Sequence, residues 1–410
     1  MEPVRLREAL RGPSYNRAVK RVVIVEGART PIGRFLGAFS ELPAVDLGVH
    51  ATQEALARAR VEPSEVDELV FGHARQAGNG PNPARQVAYR SGLGEDVPAF
   101  TVNMACGSGT KAIQVASQQL MLGNAEVVVA GGQENMTRTP FLLDRMRLGY
   151  RMGDSAVPDG MSRDGFLDPL CGLVMGETAE NLARRYAIPR EEQDEFALHS
   201  QQKTDRSWDR RAAEIAPLEV ADRRGEKILV DRDEHPRPET TAEGLAKLAP
   251  VFDRETGTVT AGNSSGITDG AAALVLMSEA RAKAEGREPL ARIVACASAG
   301  VDPAYMGIGV VPATLKLLDV TGLALQDFDV IELNEAFAAQ VLACDRELKL
   351  DHDRLNPNGG AIALGHPIGM TGARIVLTTA YEMREKGYSL GLATLCISGG
   401  MGMAVALERG

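Results

Sequence analysis

The side chains best suited to carry chemistry stand at glycine-rich turns. Cys106 lies in Val102-Asn103-Met104-Ala105-Cys106-Gly107-Ser108-Gly109, where an alternating strand pattern (Phe100, Val102, Met104) gives way to a helical one. A cysteine there is expected at a helix N-terminus, where free N–H groups and the positive end of the dipole stabilise a thiolate and lower its pKa. Small neighbours leave room for a substrate and let backbone donors face a developing oxyanion. An inert buried thiol is the alternative for this segment alone. His366 sits among glycines in Asn358-Gly359-Gly360-Ala361-Ile362-Ala363-Leu364-Gly365-His366-Pro367-Ile368-Gly369. Such an imidazole, held at a tight turn beside a cavity, could deprotonate a thiol or hydrogen-bond a carbonyl oxygen. A turn histidine satisfied by the backbone is the plainer reading.

Cys396, in Cys396-Ile397-Ser398-Gly399-Gly400-Met401-Gly402, is a second thiol at the end of an apolar strand before a glycine-rich turn. Two cysteines in equivalent surroundings suggest two roles, one accepting an acyl group and one moving a proton on the carbon beside a thioester. Alone, it reads equally as a core thiol. Asn334-Glu335-Ala336-Phe337-Ala338 follows the apolar run Val330–Leu333, at a strand carboxyl end where α/β sheets bind ligands. The Asn334 amide could hold a water or donate to an oxyanion, or simply cap a helix.

The elements that must position these groups form an α/β pattern. Short apolar runs at Val22–Val25, Glu68–Phe71, Val127–Ala130, Val330–Leu333 and Leu392–Leu395 alternate with helical periodicity, which implies strands buried on both faces. The halves repeat weakly. After Cys106 a helix pattern (Ile113, Val115, Ala116, Leu120) stops at Gly123, then come the strand near Val128 and Gly131-Gly132. After His366 a helix pattern (Ile375, Val376, Leu377, Tyr381) stops at Gly387, then come the strand near Leu392 and Gly399-Gly400. Two copies of one layer, related by pseudo-symmetry, would bring the reactive turns together.

The 410 residues carry 45 Lys+Arg against 55 Asp+Glu, a net charge of −10 that argues against a nucleic-acid partner. No apolar run reaches the roughly 18 residues of a membrane helix, and the N-terminus lacks a signal-peptide core. Five cysteines without a C-x-x-C pair argue against a disulfide scaffold or structural zinc and for a reducing, cytoplasmic setting. From about Thr137 to Gly262 the composition changes, and Lys203, Arg206, Arg210, Arg211, Arg223, Arg224, Lys227, Arg232 and Arg237 could receive an anionic ligand. Interleaved Asp and Glu fit a solvated face equally well.

Taken together and in order, Val102–Gly109, Asn334–Ala338, Gly365–Gly369 and Cys396–Gly402 resemble the four signature blocks of the thiolases. Ala28-Arg29-Thr30-Pro31-Ile32-Gly33 and Ala261-Gly262-Asn263-Ser264-Ser265-Gly266 look like the same family, so the resemblance runs from about residue 20 to the C-terminus. It implies a five-layered α-β-α-β-α fold of two pseudo-symmetric halves with an inserted loop domain. The expected division is an N-terminal extension (1–20), the first half (21–136), the inserted CoA-binding loop domain (137–267), the end of the first half (268–289) and the second half (290–410).

The resemblance also implies ping-pong acyl transfer without a metal or a tightly bound cofactor, with coenzyme A and acyl-CoA as substrates. Cys106 would be the nucleophile, His366 its activator, and Cys396 the acid and base at the α-carbon. One oxyanion hole would use His366 and a water on Asn334, the other the N–H groups of Cys106 and Ser398. Arg237 matches the adenine-side arginine and Ser265 the pantetheine contact, while Met175, Phe252, Ala261, Ala336 and Phe337 match lining positions. Val174 stands where the acetoacetyl-CoA branch usually has His, and Ser398 where Gly is frequent. Gln76–Gln86 resembles the dimer-side segment of that short-chain branch, which points to acetyl-CoA C-acetyltransferase ahead of a broader 3-ketoacyl-CoA thiolase. By the same analogy the chain is expected to form a homodimer or homotetramer.

Overall fold

The computed structural model describes residues 19–221 and 224–410. The expected extension 1–20 therefore lies almost wholly outside the described residues, as does Arg223. The strands are β1 (Val22–Arg29), β2 (Gly33–Arg34), β3 (Glu68–Gly72), β4 (Ala99–Val102), β5 (Val127–Asn135), β6 (Leu218–Ala221), β7 (Lys227–Val230), β8 (Thr268–Ser278), β9 (Ala291–Gly300), β10 (Val330–Leu333), β11 (Leu390–Ile397) and β12 (Met401–Arg409). Five helices matter for the argument: α1 (Ala44–Ala59), α2 (Ser108–Leu122), α3 (Val310–Thr321), α4 (Ala338–Leu348) and α5 (Ile368–Lys386).

The repeat is visible in the pairing. In the first half β3 runs parallel to β5, while β5, β8 and β1 follow antiparallel. In the second half β10 runs parallel to β11, while β11, β12 and β9 follow antiparallel. The first half adds β4 as a parallel edge beside β3; at the matching place the second half has a single parallel bridge, Ile331 to Leu355. The halves join where Val22–Ile24 of β1 pair antiparallel with β9.

Alternation along the strands explains the layering. Val127 and Val129 face α1, packing with its Leu47, Ala51 and Ala55. Val128 and Ala130 face inward onto Ile113, Ala116 and Leu120 of α2 and Ile375, Val376 and Leu377 of α5. The same inner cluster takes Leu395, Met403 and Val405 from the second half. Outside those strands, α3 and α4 cover Leu392, Ala404 and Ala406. The order is thus helix, sheet, α2 with α5, sheet, helix. A central helix has no solvent face, and α5 is buried at every residue from Ile368 to Met383. Gly123 (φ 71°) and Gly387 (φ 69°) end α2 and α5 in the left-handed conformation that favours glycine. Among the described residues no helix is long and apolar enough to cross a membrane.

The inserted segment is anchored by buried charge rather than presenting a basic face. Arg29, fully buried, donates to Glu214 (2.8 Å) and to Asp233 (2.7 Å). Burial alone would push both carboxyls up, but Arg29 outweighs it and holds them below their ordinary range. Arg210 donates to Glu382 on α5 (3.1 Å). Lys203 donates to the carbonyls of His352 (3.2 Å) and Leu355 (2.8 Å), and Arg232 lies over the Trp208 ring. Neither sequence reading describes Arg210 and Arg211, whose charge is met by buried internal partners, whereas Arg206, Lys227, Arg232 and Arg237 stay exposed. Replacing Arg29 with Met should leave Glu214 and Asp233 buried without their main counter-charge and lower stability by about 3–5 kcal/mol. Urea denaturation measures this; a loss below about 1 kcal/mol would contradict the assigned role.

Candidate active site

Cys106 stands in a turn locked on both sides. Ala105 takes a left-handed φ of 44°, unusual for a residue with a Cβ. Its N–H is accepted by the Asn103 side chain (3.0 Å), whose amide donates onward to the Ala74 carbonyl (3.1 Å). Ser108 Oγ accepts from Met104 N–H (2.9 Å) and donates to the Ala105 carbonyl (2.7 Å). The N-cap of α2 is Gly107, so Cys106 lies one residue outside the helix. A side chain at Gly107 would collide with Ile397 of the second half, which is how closely the two turns meet.

The expected lowering of the Cys106 pKa is reversed. Burial pushes the thiol up, and the Ser398 N–H, the Arg75 charge and its own N–H only partly offset it. The physical reason is the wall around it: Met136, Phe166, Ile267, Ile368 and Phe337 line the same cavity, and desolvation there exceeds what a nearby helix end supplies. Ser398, whose N–H offsets part of that rise, lines the same cavity as Cys106.

His366 is oriented by Thr371 on the first turn of α5. The Thr371 hydroxyl donates to the Pro367 carbonyl (2.9 Å), so at 2.6 Å it accepts from Nδ1–H of the imidazole. That leaves the lone pair on Nε2, which is buried and without a hydrogen-bond partner among the described residues. Burial, reinforced by the Arg374 charge, pushes the His366 pKa down to about 3. Cys396 is the penultimate residue of β11 and is 1% exposed; burial, then Cys106 and Cys344, push its thiol well above the ordinary value. The turn after it is held by Gly399 N–H donating to Asp168 (3.0 Å), with Gly399 and Gly400 both at positive φ.

One cavity of about 340 Å³ is lined by Cys106, His366, Cys396 and Ser398, together with Met175, Phe252, Ser265, Ala336 and Phe337. Val174 lines it as well. A second cavity, of about 190 Å³, takes Arg237 and Ala261 with His235 and Gln201. The stretch 261–266 borders both, so the two form successive compartments suited to one long ligand. Asn334 is the exception, lining neither. It is 1% exposed, both its amide atoms lack a partner among the described residues, and the N-cap of α4 is Phe337. Helix capping is thereby removed as its explanation.

Sequence reasoning passed over Thr371, Asp168 and Glu134. A hydroxyl five residues after the histidine, at the start of a helix, was the available signal for the first. Asp168 has no local signal, because its partner lies 231 residues away.

Residues 22–280 match the model described as "Thiolase, N-terminal domain", and residues 287–409 match "Thiolase, C-terminal domain". The chain belongs to the thiolase family. It is 51% identical over 394 residues to the acetyl-CoA acetyltransferase of Escherichia coli K12, covering 95% of this chain and all of that one. The probable acetyl-CoA acyltransferase of Staphylococcus epidermidis RP62A is 46% identical over 393 residues, covering 95% and 99%. Among solved structures, Bacillus anthracis acetyl-CoA acetyltransferase aligns with a TM-score of 0.93 at 45% identity, covering 95% and 99%. Human mitochondrial 3-ketoacyl-CoA thiolase aligns with a TM-score of 0.92 at 41% identity, covering 96% and 100%.

With the Cys106 thiol raised and His366 neutral, the resting pair is uncharged. Iodoacetamide labelling of Cys106 should therefore rise in one step with a midpoint above the ordinary cysteine value of about 8.5. A labelling plateau between about pH 5 and 7, the mark of a preformed thiolate–imidazolium pair, would contradict this.

Proposed function

We propose that the protein is an acetyl-CoA C-acetyltransferase, reversibly condensing two acetyl-CoA to acetoacetyl-CoA and CoA. The observation that carries this is the meeting of Cys106, His366, Cys396 and Ser398 on one cavity.

In the cleavage direction His366 Nε2 takes the Cys106 proton as the sulfur attacks the C3 carbonyl of acetoacetyl-CoA. The imidazolium Nε2–H and a water on Asn334 stabilise the resulting oxyanion, which suits the otherwise unpartnered Asn334 amide. The C2–C3 bond breaks, and Cys396 gives its proton to the departing acetyl-CoA enolate. CoA then attacks the acetyl-Cys106 carbonyl, whose oxyanion is met by the N–H groups of Cys106 and Ser398. The CoA proton restores Cys396, and His366 returns its proton to Cys106. Condensation is the reverse. Arg237 and Ala261 receive the nucleotide end of CoA, while Ser265, Met175, Phe252, Ala336 and Phe337 line the path to the sulfur. No step draws on a metal or a resident cofactor.

A broader 3-ketoacyl-CoA thiolase is the second reading, favoured by Val174, an apolar side chain on the cavity wall. The relative cleavage rates of acetoacetyl-CoA and a longer 3-ketoacyl-CoA decide between them; the first reading expects kcat/KM to be no lower for acetoacetyl-CoA. A non-catalytic scaffold of this fold would cleave neither. The five free cysteines suit a reducing cytoplasm. A homodimer or homotetramer is proposed, supported by the exposed apolar side chains Phe141, Met146, Leu148, Met152 and Leu170 of one surface stretch. A role in fatty-acid metabolism follows from the proposed substrates.

Cys396→Ala should still acquire an acetyl group on Cys106 from acetyl-CoA, seen by intact-mass spectrometry, but should not condense it. Equal loss of acetylation would sink the division of roles. His366→Asn should slow both half-reactions by about 10²- to 10⁴-fold; an unchanged rate would remove His366 from the chemistry.

A further inference from the structure

Glu134 ends in a place that none of the roles above explains. It lies near the end of β5, is fully buried, and its carboxylate gathers backbone from both halves of the molecule. Oε2 accepts from Ala74 N–H (3.1 Å) and from Gly369 N–H (2.9 Å), and Oε1 accepts from Arg75 N–H (3.0 Å). His73 Nε2 lies 3.2 Å from Oε1 without the alignment of a hydrogen bond.

The two ends of this connection lead to the two reacting side chains. Ala74 belongs to the segment after β3, and its carbonyl is tied through Asn103 to the turn that holds Cys106. Gly369 follows His366 by three residues, in the first turn of α5. Ala74, Ile368 and Cys106 pack in one small apolar cluster. The approach is close: a Cβ at Gly369 would stand 3.0 Å from His73 Cα and 3.1 Å from Glu134 Oε2. A neutral thiol–imidazole pair works only within hydrogen-bond reach, and about 1 Å of misplacement can cost some 10²-fold in rate.

We propose that Glu134 is a positioning residue that holds the His366 loop in register with the Cys106 turn. The inference rests on the reading that these two side chains are the reacting pair. Only an ionised carboxylate offers acceptors on both oxygens; an amide would turn an NH2 group toward one of these N–H donors. Burial pushes the Glu134 carboxyl up, but His73, Arg75 and the backbone donors outweigh it and keep it below its ordinary range. Arg75 is itself buried, has no ion pair among the described residues, and packs its guanidinium on Gly165 of the cavity wall.

The side chains assigned to CoA, Arg237, Phe252 and Ser265, come from other segments. Loss of register should therefore fall on kcat. Glu134→Gln is expected to lower kcat for acetoacetyl-CoA thiolysis about 10- to 100-fold, with KM within about threefold of wild type and Cys106 still labelled by iodoacetamide. A folded variant with wild-type kcat, or with KM rising as kcat falls, would overturn the assignment. If Glu134→Gln does not fold, Glu134→Asp keeps the charge but is one methylene too short to span both halves, and should show the same split; wild-type kinetics there would equally overturn it. A wild-type protein inactive on 3-ketoacyl-CoA would instead defeat the thiolase reading.

Discussion

Two helices, α2 and α5, cross at the centre of the molecule where neither can carry a side chain. A Cβ on Gly109 would lie 2.6 Å from the backbone nitrogen of Ala373, one on Gly372 would meet Thr110, and one on Gly132 would strike the Gly369 carbonyl. Bulk at any of these points would push the helices apart, because packed interiors absorb little added volume. The reactive turns sit at the N-terminal ends of those two helices, so their meeting follows from that crossing. The pseudo-symmetry then has a geometric meaning: one helix begins beside Cys106, its counterpart begins beside His366, and the strand after the second carries Cys396.

Desolvation governs the chemistry of the assembled site. It raises both thiols and lowers the imidazole, which keeps all three groups neutral at rest. A charged pair held permanently in an apolar cavity would be costly. The Glu134 carboxylate, close to this site, is kept ionised by His73, Arg75 and backbone donors.

The inserted segment connects these layers to the ligand compartments. Arg29 of β1 pairs with Glu214 and Asp233 of the insertion, and Arg210 of the insertion pairs with Glu382, which fastens the segment to β1 and α5. Arg237 keeps its place beside a cavity. Val174 lies on the wall of the cavity that Cys106 and Cys396 also line.

What the amino-acid order determined alone was what depends on near neighbours. The apolar runs became β1, β3, β5, β10 and β11, glycines stopped α2 and α5 where their left-handed caps fall, and the repeat reappeared as matching strand orders. The motif blocks singled out Cys106, His366 and Cys396, which share one cavity, and also Asn334, which does not line it, since each block is contiguous. Tertiary structure decided what depends on distant surroundings. The direction of the Cys106 shift reversed because burial outweighs a helix end that local sequence could show. Asn334 ceased to be a capping residue, and Arg210 and Arg211 of the basic stretch became internal struts, because their partners or lack of them arise only on folding. Glu134 illustrates the divide most clearly: its three N–H donors come from positions 60, 59 and 235 residues away, and no local pattern encodes a carboxylate that has meaning only where two halves of a chain touch.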